Sequence, residues 1–177
     1  YLPGLLDGSD LWCQLFSEPG AGSDLASLST RAVRDGDEYV LNGQKVWTTF
    51  AHVSRYGILL ARTDPNAEPH RGISYFVLDM QTPGITVRPI KQMNRSADFN
   101  EVFFEDVRIP AGNLVGDEND GWRLAKVTLG NERVSRLPVE LIVCINLFHK
   151  SITQLQGLRY EEADSFLRIG VQIRGLC

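Results

Sequence analysis

From residue 30 to residue 110 short β-rich runs alternate with Gly, Pro, Asp and Asn at close intervals, and no helical segment intervenes. That pattern constrains the fold more than any other feature of the chain. Candidate strands are Thr30 to Arg34, Tyr39 to Leu41, Lys45 to Thr49, Tyr56 to Thr63, Ile73 to Asp79, Ile85 to Ile90 and Glu101 to Ile109. Asp35-Gly36-Asp37 reads as a hairpin turn, Asn42-Gly43 as a second turn leading into Lys45, Pro83-Gly84 as a third, and Pro110-Ala111-Gly112 as the end of the series. Strands with short connections favour an antiparallel barrel or sandwich over a parallel α/β sheet.

From Asp120 the pattern changes: Trp122, Ala125, Leu129, Val134 and Leu137 recur at helical spacing, and Ala163 to Leu176 forms a second candidate helix beyond Pro138. Two helices cannot close a bundle alone. The expected fold is therefore mainly β, an antiparallel β-barrel domain followed by a partial α-helical bundle. Its expected divisions are a linker at 1–10, the barrel at 11–118 and the partial helical domain at 119–177.

Composition excludes several function classes. With 177 residues the chain can bury about 70% of its unfolded surface, enough for one sizeable core. A net charge of -4 argues against a phosphate-backbone binder, so no nucleic-acid partner is expected. The most apolar stretch, Leu137 to Phe148, is interrupted by Pro138, Glu140 and Asn146 and is too short to span a bilayer. The N-terminus has no secretion-signal pattern. Cys13, Cys144 and Cys177 are scattered without a Cys-x-x-Cys pair, which fits a reducing, cytoplasmic setting and no thiolate metal site. His52, His70 and His149 are isolated, so no metal catalysis is expected.

Generic nucleotide signals fail. Gly20-Ala21-Gly22-Ser23-Asp24-Leu25 has Leu where a dinucleotide fingerprint needs its third Gly, and no Gly-Lys-Ser/Thr phosphate loop occurs. What stands out is Leu15-Phe16-Ser17-Glu18-Pro19-Gly20-Ala21-Gly22-Ser23-Asp24, followed two strands later by Val46-Trp47-Thr48-Thr49. Alone, the first segment reads as a solvated turn whose Ser23-Asp24 could cap a helix, and Trp47 as a strand residue that packs in a core.

Together the two segments resemble the acyl-CoA dehydrogenase family. The resemblance rests on E-P-G-A-G-S-D at Glu18 to Asp24, on N-G-x-K-x-W-T-T at Asn42 to Thr49, on F-x-D-V-x-I-P at Phe104 to Pro110, and on Asn131-Glu132-Arg133-Val134. It covers residues 10 to 137, in the family's order. It implies an FAD enzyme that dehydrogenates the α,β bond of an acyl-CoA thioester in fatty acid metabolism, with hydride passing to flavin N5. A strand's backbone N–H and C=O groups can match the flavin's polar edge without ionised side chains. By resemblance Gln14, Leu15, Phe16 and Ser17 line that edge, Gly22 lets the backbone approach, and Ser23 hydrogen-bonds cofactor or ligand near the pyrophosphate. Trp47 and Thr48 join the cofactor site, Trp47 on the flavin face, and Thr49 places a donor at the nitrogen that receives hydride.

In many relatives the resemblance puts the base that removes the α-proton in the C-terminal helical domain, whereas in other branches it is the Glu of an E-R pair on the first helix after the barrel, and Glu132 matches that second position. Ser23, Asn131 and Arg133 would then contact the acyl-CoA. Phe50 departs from the family, whose members usually carry a small residue or Asn there. The family's N-terminal helical domain and R-x-x-F-G motif have no counterpart in these residues, which implies an incomplete chain, inactive in isolation. Expected partners are an acyl-CoA, an electron-transferring flavoprotein, and further subunits in a homo- or hetero-oligomer, a dimer or tetramer. A eukaryotic source would place it in the mitochondrial matrix. The rival readings are a non-catalytic subunit that lends its surface to a catalytic homologue, and a flavin oxidase or monooxygenase on the same architecture.

Overall fold

A computed structural model of the chain describes residues 1–134. Asp10–Ala125 forms one compact unit, and among the described residues Tyr1–Ser9 and Lys126–Val134 lie outside it. Ten regular elements occur among the described residues: α1 (Leu2–Asp7), β1 (Trp12–Leu15), β2 (Arg31–Asp35), β3 (Glu38–Thr49), β4 (Tyr56–Arg62), β5 (Ile73–Asp79), β6 (Ile85–Pro89), β7 (Phe99–Pro110), β8 (Leu114–Val115) and α2 (Gly121–Val134). Helix α1 lies within the expected linker: Pro3 suits its first turn, and Gly8 closes it with a left-handed φ of 76°. The second candidate helix, Ala163 to Leu176, lies outside the described residues.

The sheet runs β6-β7-β3-β2-β4-β5-β8, with β1 added to β4. Most pairings are antiparallel, as the short connections require, but β1 and β2 both run parallel to β4. β1 occupies β4 at Tyr56–Leu59 and β2 meets it at Arg62. Between Leu15 and Arg31 the chain therefore leaves one edge of β4 and returns further along it. The hydrogen-bonded path ends at β6 and β8 and does not close on itself. The core is built from the inward positions of these strands, among them Leu15, Tyr39, Leu41, Leu59, Phe76, Leu78, Val102, Phe104, Val107 and Ile109. Burial of such side chains stabilises by about 1.5–3 kcal/mol each, before conformational entropy is set against it.

Two irregularities reshape β3. The sequence gives a turn at Asn42-Gly43, yet β3 runs unbroken from Glu38 to Thr49. The turn chemistry serves a bulge instead, because β7 carries an extra residue between the pairs Leu41↔Val107 and Gly43↔Phe104. Asn42 accepts a hydrogen bond from the Asp106 N–H (3.0 Å) and donates to its carboxylate (3.0 Å), while Asp106 takes a φ of 49°. Gly43 has a φ of 150°, and a Cβ there would lie 2.7 Å from the Thr30 Cα, so no larger residue fits. The second irregularity falls between Lys45↔Val102 and Thr48↔Asn100, where Val46 and Trp47 together face Glu101.

Candidate flavin site

The excursion between β1 and β2 begins with a tight reversal. Glu18 N–H donates to the Ala21 carbonyl (2.9 Å) and Ala21 N–H to the Glu18 carbonyl (3.0 Å), with Pro19-Gly20 at the tip. The reversal sends the Glu18 side chain inward, where it is 5% exposed. Its carboxylate accepts four hydrogen bonds. Oε2 takes the Ser29 N–H (2.7 Å) and hydroxyl (2.8 Å), and Oε1 takes the Thr30 N–H (2.9 Å) and the Lys45 ammonium (2.8 Å). Lys45 is fully buried and donates also to the Phe16 carbonyl at 3.0 Å.

Burial pushes the Glu18 carboxyl up, but the Lys45 charge and the hydrogen bonds from Lys45, Thr30 and Ser29 outweigh it and hold the pKa at about 2. Burial pushes Lys45 down, to about 8, and the adjacent Glu18 charge limits that fall. Neither residue was identified from sequence as part of a site. A signal existed: Lys45 is in phase with the inward residues Tyr39 and Leu41, and a lysine at an inward strand position needs a buried acceptor.

Directly after Lys45 the chain bulges. Val46 N–H donates to the Ser17 carbonyl (2.9 Å), which sets the run from Gln14 to Ser17 beside the run from Trp47 to Thr49. The structure thus brings together the two segments that the sequence singled out. Leu15 and Phe16 are 0% and 3% exposed, so they can offer a ligand only their main chain. Gln14 and Ser17 are half-buried, and no hydrogen bond engages the Ser17 N–H among the described residues. Trp47 adopts a left-handed φ of 59° and is 60% exposed, its ring edge-on to Phe99 at 6.1 Å. Thr49 is exposed as well. Thr48 points inward at 1% exposure, and its hydroxyl meets no partner among the described residues.

The bulge is clamped from β7. The buried Asn100 amide donates to the Thr48 carbonyl (2.9 Å) and to the Asp98 carbonyl (3.1 Å), and Asp98 O also accepts from Phe50 N–H (2.8 Å). With its amide so committed, Asn100 presents its oxygen to His52, whose Nδ1 at 3.1 Å must carry the proton. Phe50 has a φ of 56°, a conformation that suits Gly or Asn. Gly22 and Ser23 are exposed; a Cβ on Gly22 would meet no atom within 4 Å. Asn131, Glu132 and Arg133 are helical, in the last turn of α2.

Among the described residues no cluster of His, Cys, Asp and Glu could hold a metal ion, and no helix is long and apolar enough to cross a membrane. The middle-domain family of acyl-CoA dehydrogenases matches residues 13–107. The acyl-CoA dehydrogenase FadE34 of Mycobacterium tuberculosis is 57% identical over 135 residues, which are 76% of this chain and 19% of that protein. Among solved structures, a variant of the Tcur3481-Tcur3483 steroid ACAD is 42% identical with a TM-score of 0.72, covering 75% of this chain and 35% of that one. The ChsE4-ChsE5 complex from Mycobacterium tuberculosis is 42% identical with a TM-score of 0.68, covering 73% and 33%. This chain therefore spans about a fifth to a third of the length of these relatives, and it belongs to the acyl-CoA dehydrogenase family.

Proposed function

We propose that these residues form the flavin-binding part of an FAD-dependent acyl-CoA dehydrogenase, which oxidises the α,β bond of an acyl-CoA thioester. The observation that carries this reading is the exposed Trp47 indole, raised on a left-handed bulge next to the Gln14 to Ser17 run with its unengaged Ser17 N–H. An aromatic face and a main-chain edge side by side suit a tricyclic ring that is apolar on its faces and polar along one edge. The open space at Gly22, where no described residue requires a glycine, fits a backbone approach by a diphosphate. Bound FAD would supply the acceptor for the hydride that leaves the β carbon.

The chain's own residues bind and orient. Gln14, Leu15, Phe16 and Ser17 meet the polar edge through their main chain, Trp47 and Thr48 pack the ring's seat, and Thr49 donates where negative charge develops on reduction. Gly22 and Ser23 hold the diphosphate. Ser23, Asn131 and Arg133 contact the acyl-CoA, and Glu132 takes the α proton. Electrons pass on to an electron-transferring flavoprotein, and the protein works as an oligomer. The complexes in which its structural relatives occur support that last point.

The test is a visible absorption spectrum of the purified full-length protein, followed by anaerobic addition of a panel of acyl-CoAs. Yellow flavin bands that bleach with one acyl-CoA class are the expected result. Absence of flavin under saturating FAD overturns the reading in favour of a non-catalytic subunit, and oxygen uptake with peroxide release as the main turnover overturns it in favour of an oxidase.

A further inference from the structure

The fully buried Lys45 takes no part in the chemistry proposed above, and a buried ion pair seldom gains stability over an apolar replacement of similar volume. Its placement points to another task. Lys45 Nζ donates to two acceptors only among the described residues: Glu18 Oε1 at 2.8 Å and the Phe16 carbonyl at 3.0 Å. Glu18 is itself fixed by Ser29 and Thr30 through three further hydrogen bonds, so the ammonium is anchored on one side and pulls the Phe16 carbonyl from the other. Among the described residues no peptide bond is cis. In a trans peptide the C=O and the following N–H point in opposite directions. A Phe16 carbonyl held toward buried Lys45 therefore turns the Ser17 N–H away from the interior, and the Ser17 carbonyl is tied separately by Val46 N–H at 2.9 Å.

We propose that Lys45, anchored by Glu18, is a positioning residue that fixes the Phe16–Ser17 peptide plane and so aims the Ser17 N–H at the polar edge of the flavin. This rests on the flavin reading. The chain invests a buried charge pair to orient one main-chain donor, because a donor supplied by the backbone has no side-chain rotamer through which packing could steer it.

The test compares FAD dissociation constants and urea-unfolding stabilities of the purified protein with those of Lys45→Met, Glu18→Gln and Ser17→Pro. Lys45→Met removes the pull on Phe16 and leaves Glu18 its three other donors. It weakens FAD binding about tenfold, the scale of one lost or misaimed hydrogen bond. Glu18→Gln costs more stability than Lys45→Met, because it leaves an ammonium buried without its counter-charge. It keeps FAD affinity within about threefold, since the amide oxygen can still accept from Lys45 Nζ and so keep the anchor, and Lys45 still donates to the Phe16 carbonyl. The two variants thus rank in opposite order for stability and for affinity, which a merely structural role would not produce.

Ser17→Pro deletes the N–H itself, and it weakens FAD binding at least as much as Lys45→Met does. Leu41→Ala, a core truncation on the same strand, serves as the control for general destabilisation and leaves the FAD constant unchanged. Equal FAD constants for wild type and Ser17→Pro overturn the proposal, as does a loss of affinity in Lys45→Met that Leu41→Ala matches. A wild-type protein that binds no FAD overturns the flavin reading instead.

Discussion

Replacing Glu18 by Gln puts a number on the buried pair. The carboxylate receives four donors, two on each oxygen. A carboxamide has one acceptor oxygen, and its NH2 must face the donors on the other side. If the amide oxygen keeps Lys45 and Thr30, its NH2 meets the Ser29 N–H; if it keeps Ser29, the NH2 meets an ammonium. Either way at least one buried backbone donor or the lysine loses its partner, and removing one member of a buried pair costs about 3–5 kcal/mol. An independent route gives a similar figure. Folding moves the Glu18 pKa from 4.5 to about 2, an interval that corresponds to about 3 kcal/mol. Because the folded value is the lower one, the unfolded chain takes up the proton first. The stabilisation is complete above pH 4.5 and is lost as pH falls through about 2. Urea unfolding followed by tryptophan fluorescence, repeated from pH 7 down to pH 2, reads both effects. The gap between wild type and Glu18→Gln is about 3–5 kcal/mol at neutral pH, holds down to about pH 4.5 and shrinks only below it, since a protonated Glu18 is electrically a Gln. A gap below about 1 kcal/mol at pH 7, or one that does not change with pH, refutes the reasoning.

Trp47→Ala leaves stability within about 1 kcal/mol, because the indole is largely exposed and its edge contact with Phe99 is a modest one, while FAD binding measured by flavin fluorescence weakens at least tenfold. At Phe50, where φ is 56°, Val is about 1–2 kcal/mol less stable than Asn in paired melts, since a β-branched residue resists the left-handed region and Asn tolerates it. Both variants lose the ring, so equal stabilities would show that backbone strain is not what matters there. Glu132→Gln in the active protein abolishes acyl-CoA-driven flavin bleaching while leaving the flavin spectrum intact, and unchanged turnover rejects Glu132 as the base.

What could be read from the sequence followed what the sequence encodes locally. Period-two alternation and turn chemistry located the strands that became β2, β4, β5, β6 and β7 within a few residues, because a half-buried strand must show its phase in its side chains. Asn42-Gly43 was misread as a turn because a G-bearing polar pair signals a break in regular pairing without saying whether the chain reverses or bulges. The distinction lies in the partner strand, where Asp106 supplies the extra residue. The parallel pairing of β1 and β2 with β4 was not legible, since strand order depends on contacts between distant segments. At the candidate site the residue types were visible and the geometry was not: Thr48 turns inward between two exposed neighbours only because the bulge resets the alternation at Trp47. Lys45 and Glu18 sit 27 positions apart, and nothing in either segment alone names the other.

Left-handed backbone and buried charge are both costly, and this fold places them together. Among the described residues five that are not glycine have a positive φ: Trp47, Phe50, Arg95, Asp106 and Asn119. Asp106 and Asn119 are of the types that tolerate the conformation, whereas Trp47 and Phe50 are bulky aromatics that resist it. These two lie three positions apart, Trp47 in the bulge and Phe50 just past the end of β3; Asn100 holds the Thr48 carbonyl between them, and the Asp98 carbonyl accepts the Phe50 N–H. Lys45, two positions before Trp47, ties the same bulge to the Glu18 reversal. Strain of about 1–3 kcal/mol per residue persists only where the surroundings over-determine it, and here the surroundings are a buried amide on one side and a buried ion pair on the other. A surface that merely needed to fold would relax Trp47 to extended backbone and turn its indole inward. Keeping it raised and exposed, at a cost in backbone energy and in hydration of an aromatic face, is consistent with a rigid platform formed before any ligand arrives, on which binding does not have to supply the ordering energy.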